Sequence, residues 1–222
     1  QKLFHYLLNQ FDKKLDGSDK WHIIGHGLGA LVALDYVNRY QDSVENKIDG
    51  IILSNFILKF NSLFLQFEDQ SLIQKMGINK IIDHLRPLRI FKGEEQLSNA
   101  EDVLNYEQDP LVVHRPTLGS IKEIQKKIIN IYQDSYFLSK PLMLLKSDLT
   151  SKKTNDSITY FSKGVKKELL TEKKYSIMKH DLYNEREKEI VFADILNWMK
   201  SYEFTNIIFT QSICFIIIKK KF

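Results

Sequence analysis

The stretch Trp21-His22-Ile23-Ile24-Gly25-His26-Gly27-Leu28-Gly29-Ala30-Leu31-Val32-Ala33-Leu34-Asp35-Tyr36 decides how the rest of the chain is read. Its first four residues are an apolar run bounded by glycine, which predicts a short buried strand. Leu28, Leu31, Val32 and Tyr36 then recur at helical spacing and predict an amphipathic helix. Gly25-His26-Gly27-Leu28-Gly29 joins them in a tight turn.

Working outward, Ile48 to Leu53 reads as the next buried strand and Pro141 to Leu145 as a third, with a weaker fourth at Lys173–Ile177. Helical spacing recurs over residues 1–16, at Asp156–Gly164, and at Glu187–Met199, where Val191, Ile195, Trp198 and Met199 form one stripe. Residues 55–138 differ. They are mostly amphipathic helical stretches with joints at Pro87, Gly93, Pro110 and Pro116. Strands alternating with helices predict an α/β fold, a parallel sheet covered on both faces.

Composition narrows the function classes. With 222 residues, 43% apolar and 12% aromatic, the chain can bury one sizeable core. The 32 basic and 28 acidic residues leave +4, too mild a charge to argue for nucleic acid. The lone Cys214 excludes an intramolecular disulfide and a cysteine zinc site, and no cofactor or metal is expected. The chain begins at Gln1, not Met, and is expected to be a fragment.

A strand, then glycine-x-x-x-glycine, then a helix is the setting of a nucleophile elbow. Such a turn holds its central residue at strained dihedrals, beside amides that stabilise negative charge. The central residue here is Gly27. An ordinary glycine-rich strand-to-helix turn stays open as a reading. A phosphate cradle fits less well, because Gly25-x-Gly27-x-Gly29 lacks the dinucleotide and P-loop spacings.

Four stretches together resemble the monoacylglycerol lipase / lysophospholipase group of α/β-hydrolases, also grouped with serine aminopeptidase-like hydrolases. Ile23 to Val37 looks like that family's GHSxGG elbow and helix. Ile48 to Leu58 is similar to its next strand, which usually ends in a Leu-Ser-Ala-Pro-like segment. Leu97 to His114, with Asp109-Pro110-Leu111-Val112, resembles a cap-region segment. Ile177 to Met199 is similar to the catalytic-histidine loop and final helix, often His-Glu-x-x-Asn-Glu in the family. The resemblance implies an α/β-hydrolase domain over residues 1–203, with a helical cap insertion at about 55–138 and the early strands missing. Without those strands, Trp21–Ile24 would be an exposed edge.

Carried over residue by residue, the resemblance implies His180 as the catalytic histidine. It puts the acid in a loop resembling His-Gly-x-x-Asp, which here reads Lys146-Ser147-Asp148-Leu149-Thr150. The acid position is therefore Thr150. Asp148 is a substitute acid only if the loop is remodelled, and a solvated loop aspartate otherwise. The nucleophile position is Gly27, which has no side chain to attack with. The Leu28 backbone N–H is the expected oxyanion donor, and a second donor is expected from an earlier loop outside this chain. Ser54 and Ser147 stand near in sequence, but neither is on the elbow.

The implied function is a serine hydrolase of glycerolipid carboxylic esters, inactive here because of Gly27; the alternative is a non-catalytic lipid- or partner-binding pseudo-hydrolase. The expected ligand is a lipid ester or lysophospholipid, with no nucleic acid. The expected location is cytoplasmic or peripheral at membranes, in contact with the membrane surface. The aromatic and aliphatic run from Phe56 to Phe67 either lines a lipid groove or packs cap against core. Residues 204–222 lie outside the resemblance. Their apolar run is broken by Thr205, Asn206, Thr210, Gln211 and Ser212, so it fits a spanning helix poorly and is expected to be either a gene-model artefact or a loosely packed extra segment.

Overall fold

The computed structural model describes residues 6, 21–40, 48–56, 92–134, 136, 138–150, 152–201 and 215–219. The helix expected over residues 1–16 and the segment Ile57–Phe67 fall outside the described residues, apart from Tyr6.

The order along the chain is β1 (Trp21–His26), α1 (Leu28–Arg39), β2 (Ile48–Ser54), α2 (Gly93–Gln96), α3 (Ala100–Gln108), α4 (Leu118–Asp134), β3 (Leu142–Ser147), α5 (Lys152–Gly164), β4 (Leu170–Tyr175), α6 (Lys188–Lys200) and β5 (Phe215–Lys219). The sheet order is β4-β3-β2-β1-β5. β1 to β4 are mutually parallel, as the alternation of strands and helices predicts. β5 pairs antiparallel with β1, from Trp21 opposite Lys219 to Gly25 opposite Phe215. This corrects the expectation of an exposed β1 edge and, for residues 215–219 alone, that of a loosely packed tail. The β-branched run Ile216-Ile217-Ile218 suits a strand, and a bare edge offers it a row of unpaired backbone groups.

Strand periodicity splits the core between the two faces of the sheet. Ile23, Ile51, Leu53, Leu142 and Leu144 face one layer with Leu34 and Val37 of α1, Ile121 and Ile131 of α4, and Phe161 of α5. Ile24, Ile52, Met143 and Leu145 face the other, with Val191, Ile195, Trp198 and Met199 of α6. Because both faces are covered, the inner strands carry unbroken apolar runs. β4 is a half-exposed edge strand without such a run, which is why it begins three residues before the predicted start at Lys173.

Two outcomes bear on the predicted cap. α4 packs into the core layer beside α1, so it belongs to the sheet's helical cover although it lies between β2 and β3. Phe56 is buried edge-on against Phe161 at 5.2 Å between ring centroids, so it packs in the core.

Gly25 and Gly27 serve different ends in the β1–α1 turn. A Cβ on Gly25 would lie 2.6 Å from the Ala30 Cα, so only glycine lets β1 pass this close to α1. Gly27 sits at φ 54° and ψ −118°, where a side chain is strained but the surrounding space is open.

Candidate active site

The site sits where β1, β2 and β3 end. Gly27 occupies the apex of the turn, and its N–H donates to the Ser54 carbonyl at 3.0 Å. A Cβ on Gly27 would meet only the His180 Nε2, at 3.5 Å. The turn therefore has the dihedrals of an elbow and aims its empty side-chain direction at an imidazole. Leu28 opens α1, so its N–H is one of the free amides at the helix N-terminus.

His180 arrives on the loop between β4 and α6. Its carbonyl accepts from the Asn55 Nδ2 at 2.7 Å. Its ring tilts against His26 at 5.1 Å. Burial, together with the neighbouring His26, lowers its pKa to about 3, and Asp181 offsets part of this. His26 is likewise lowered by burial to about 4. Both rings are neutral at pH 7, and a neutral imidazole is the form that accepts a proton.

His26 is held from two sides. Its Nδ1 pairs with the Ser54 hydroxyl at 2.8 Å, and its Nε2 lies 4.0 Å from the Asp181 carboxylate. Asp181 is raised by burial, against the Asn184 amide that donates to it at 2.8 Å. The Tyr183 ring packs T-shaped against His26 at 5.6 Å, and burial pushes its phenol up.

The acid loop turns elsewhere. The Thr150 hydroxyl bonds the Ser147 carbonyl at 2.9 Å and the Asn155 side chain at 3.0 Å. Asp148 is exposed, and its carboxylate accepts from the Ser176 hydroxyl at 3.2 Å. Among the described residues, no carboxylate hydrogen-bonds the His180 ring. Gly27, Leu28 and His180 thus come together, while Thr150 and Asp148 point to other partners. Ser54 and Ser147 are fully buried, Ser54 paired with His26 and Ser147 with the Met178 carbonyl.

Sequence reasoning missed His26, Asn55 and Glu185. Glu185 is 3% exposed, and its Oε1 accepts from the Ser98 N–H at 3.0 Å, the Ser98 hydroxyl at 2.9 Å and the Lys179 N–H at 3.2 Å. With the Asp181 N–H donating to the Gln96 carbonyl at 2.9 Å, it staples the His180 loop to the segment before α3. A polar cleft of about 560 Å³ opens beside this staple, lined by Asp102, Tyr106, Asp181, Asn184 and Arg186 among others. The pairing of Asn184 with Glu185 in the sequence was the available signal.

With this geometry described, comparison with known proteins settles the family. The sequence profile of the family described as serine aminopeptidase, S33, matches residues 4–187. The chain belongs to that family. It is 23% identical over 198 residues to phospholipase YtpA of Bacillus subtilis (strain 168), across 83% of this chain and 74% of that protein. Among solved structures it is similar to the monoacylglycerol lipase of Paleococcus ferrophilus, with TM-score 0.69, 18% identity, and coverage of 89% of this chain and 74% of that one. It is also similar to a soluble variant of monoglyceride lipase from Saccharomyces cerevisiae in complex with a substrate analog, with TM-score 0.60, 17% identity, and coverage of 81% of this chain and 61% of that one. The fold is that of the α/β-hydrolases, as the motif resemblance implied. No helix among the described residues is long and apolar enough to cross a membrane.

Proposed function

We propose that this chain is a monoacylglycerol lipase / lysophospholipase-type hydrolase that receives a lipid ester but does not acylate. The observation that carries this reading is Gly27. It keeps the elbow's backbone and faces His180 Nε2 across an empty side-chain direction, with no hydroxyl to attack. Loss of a triad nucleophile leaves only the residual rate of the oxyanion donors and of binding. A lipid ester as ligand is supported by what the similar proteins are called, a phospholipase and two monoglyceride lipases.

The test uses two measurements on the purified chain. A fluorophosphonate probe, followed by intact mass, reports an activated serine; no adduct is expected. Calorimetric titration with a non-hydrolysable monoacylglycerol ether reports the pocket; saturable binding is expected. A stoichiometric adduct would show a nucleophile away from the elbow. Absence of ether binding would remove the lipid from the proposal and leave the scaffold without its ligand.

A further inference from the structure

Two buried side chains at the ends of β2 and β3 hold the loop that carries His180. Asn55 follows β2, is fully buried, and has φ 39°, the one positive φ outside glycine among the described residues. Asparagine tolerates this conformation better than most residues. Its amide orientation is dictated by its neighbours. The Ser147 N–H can only donate, so it meets Oδ1 at 2.7 Å; the amide NH₂ then donates to the His180 carbonyl, also at 2.7 Å. The Asn55 N–H donates to the Leu145 carbonyl at 3.0 Å, which keeps the residue against β3.

Ser147 ends β3 and makes the second grip. Its hydroxyl donates to the Met178 carbonyl at 2.5 Å and accepts from the Leu149 N–H at 3.1 Å. Carbonyls at both ends of the segment 178–180 are therefore fixed by side chains rooted in the sheet. The His180 ring has no comparable restraint. It meets His26 from β1 and feels Asp181 beside it in the loop, without a carboxylate hydrogen bond to the ring among the described residues.

The geometry points to Asn55 and Ser147 as positioning residues that aim His180 at the elbow through its backbone, in place of a carboxylate acting on its ring. Alanine at 55 or glycine at 147, the residues of the motifs that these segments resemble, would make neither bond. The inference concerns the loop and stands whether or not the chain binds a lipid ester.

The test is imidazole NMR on the full chain labelled with ¹⁵N-histidine. Asn55→Gly keeps the left-handed backbone accessible and removes the amide. Asn55→Asp keeps an acceptor for the Ser147 N–H and removes the donor to His180. Ser147→Ala removes a single oxygen. In each, the His180 ring signals are expected to shift or broaden. Its protonation midpoint should climb from the parent's low value toward the ordinary 6.5 as water enters beside His26 and Asp181. If Asn55→Gly does not fold, the other two variants answer the question. Folded Asn55→Asp and Ser147→Ala with His180 signals and midpoint identical to the parent would overturn the inference.

Discussion

Placing serine at position 27 tests the elbow most directly. The cost to the fold follows from the dihedrals. At φ 54° and ψ −118° a side chain carries strain of about 1–3 kcal/mol. Losing glycine's freedom in the unfolded chain returns about 0.4–1 kcal/mol. The net is a loss of roughly 1–2 kcal/mol, or a fall in Tm of about 2–8 °C for a chain of this size. Space does not add to it, because the new Cβ meets only the His180 Nε2 at 3.5 Å.

The gain in chemistry is limited by the acid. Serine would find a neutral base within reach, but one whose ring no carboxylate orients. That deficit costs on the order of 10⁴ in rate in well-studied triads, which is about 5.5 kcal/mol of barrier. Gly27→Ser alone should therefore label slowly with a fluorophosphonate and hydrolyse a nitrophenyl ester roughly 10⁴-fold more slowly than an intact triad. Adding Thr150→Asp should recover only part of this. Thr150 now bonds the Ser147 carbonyl and Asn155, and the loop must turn before a carboxylate there meets His180. Intact-mass kinetics and ester turnover read both variants. Full lipase-like turnover from Gly27→Ser alone would refute the reasoning and implicate Asp148, and Asp148→Asn in the same background would then abolish it.

Two further outcomes follow from the site. Glu185→Ala should strand the Ser98 and Lys179 donors and cost about 2–4 kcal/mol, seen as a fall in Tm of roughly 4–15 °C; a fall under about 2 °C would show that the staple carries no stability. Stability should be flat between about pH 7 and 9 and fall on acidification below about 6.5. The unfolded histidines take up protons there, whereas His26 and His180 resist until about 4 and about 3. Asp181, raised by burial, takes up its proton earlier in the fold than in the unfolded chain and offsets part of that fall. Urea unfolding from pH 7 to 4 checks the slope, and His26→Gln with His180→Gln should flatten it; a parent protein with no slope would contradict the burial of these rings.

Legibility followed burial. Ile23-Ile24, Ile51-Ile52-Leu53 and Leu142 to Leu145 announced themselves because strands covered on both faces need apolar residues at consecutive positions. β4 starts three residues before its legible pattern, since an edge strand with two half-buried residues, three exposed ones and one buried one neither alternates nor forms an apolar run. At the site, Gly27 and His180 were legible as motif positions. His26 stands in the same turn, but its Ser54 partner lies at the end of another strand, so local sequence does not show its task. In the sequence Ser147 is legible only as a serine off the elbow, and Asn55 carries no signal. Their work is a side-chain bond to a carbonyl of a distant loop, and nothing in local spacing encodes which carbonyl the fold will bring. α4 was read as part of the insertion because chain order alone does not say which layer a helix joins.

The two turn glycines look interchangeable in the sequence, yet the physics separates them. Gly25 is required by space, since any Cβ there would overlap the backbone of α1. Gly27 is favoured by dihedral angle alone, and toward His180 there is room for a side chain. A serine at that point would hold stored strain that the rest of the fold must oppose. Glycine releases the strain and removes the nucleophile in one step. On the proposed reading, glycine at the elbow thus favours the turn and leaves acyl transfer without a nucleophile, and a base that activates no nucleophile does not need an orienting carboxylate where Thr150 stands. The His180 loop is anchored at its carbonyls by the Asn55 and Ser147 side chains, so the ring faces the elbow by packing and by hydrogen bonds to the loop backbone, without a carboxylate on the ring among the described residues.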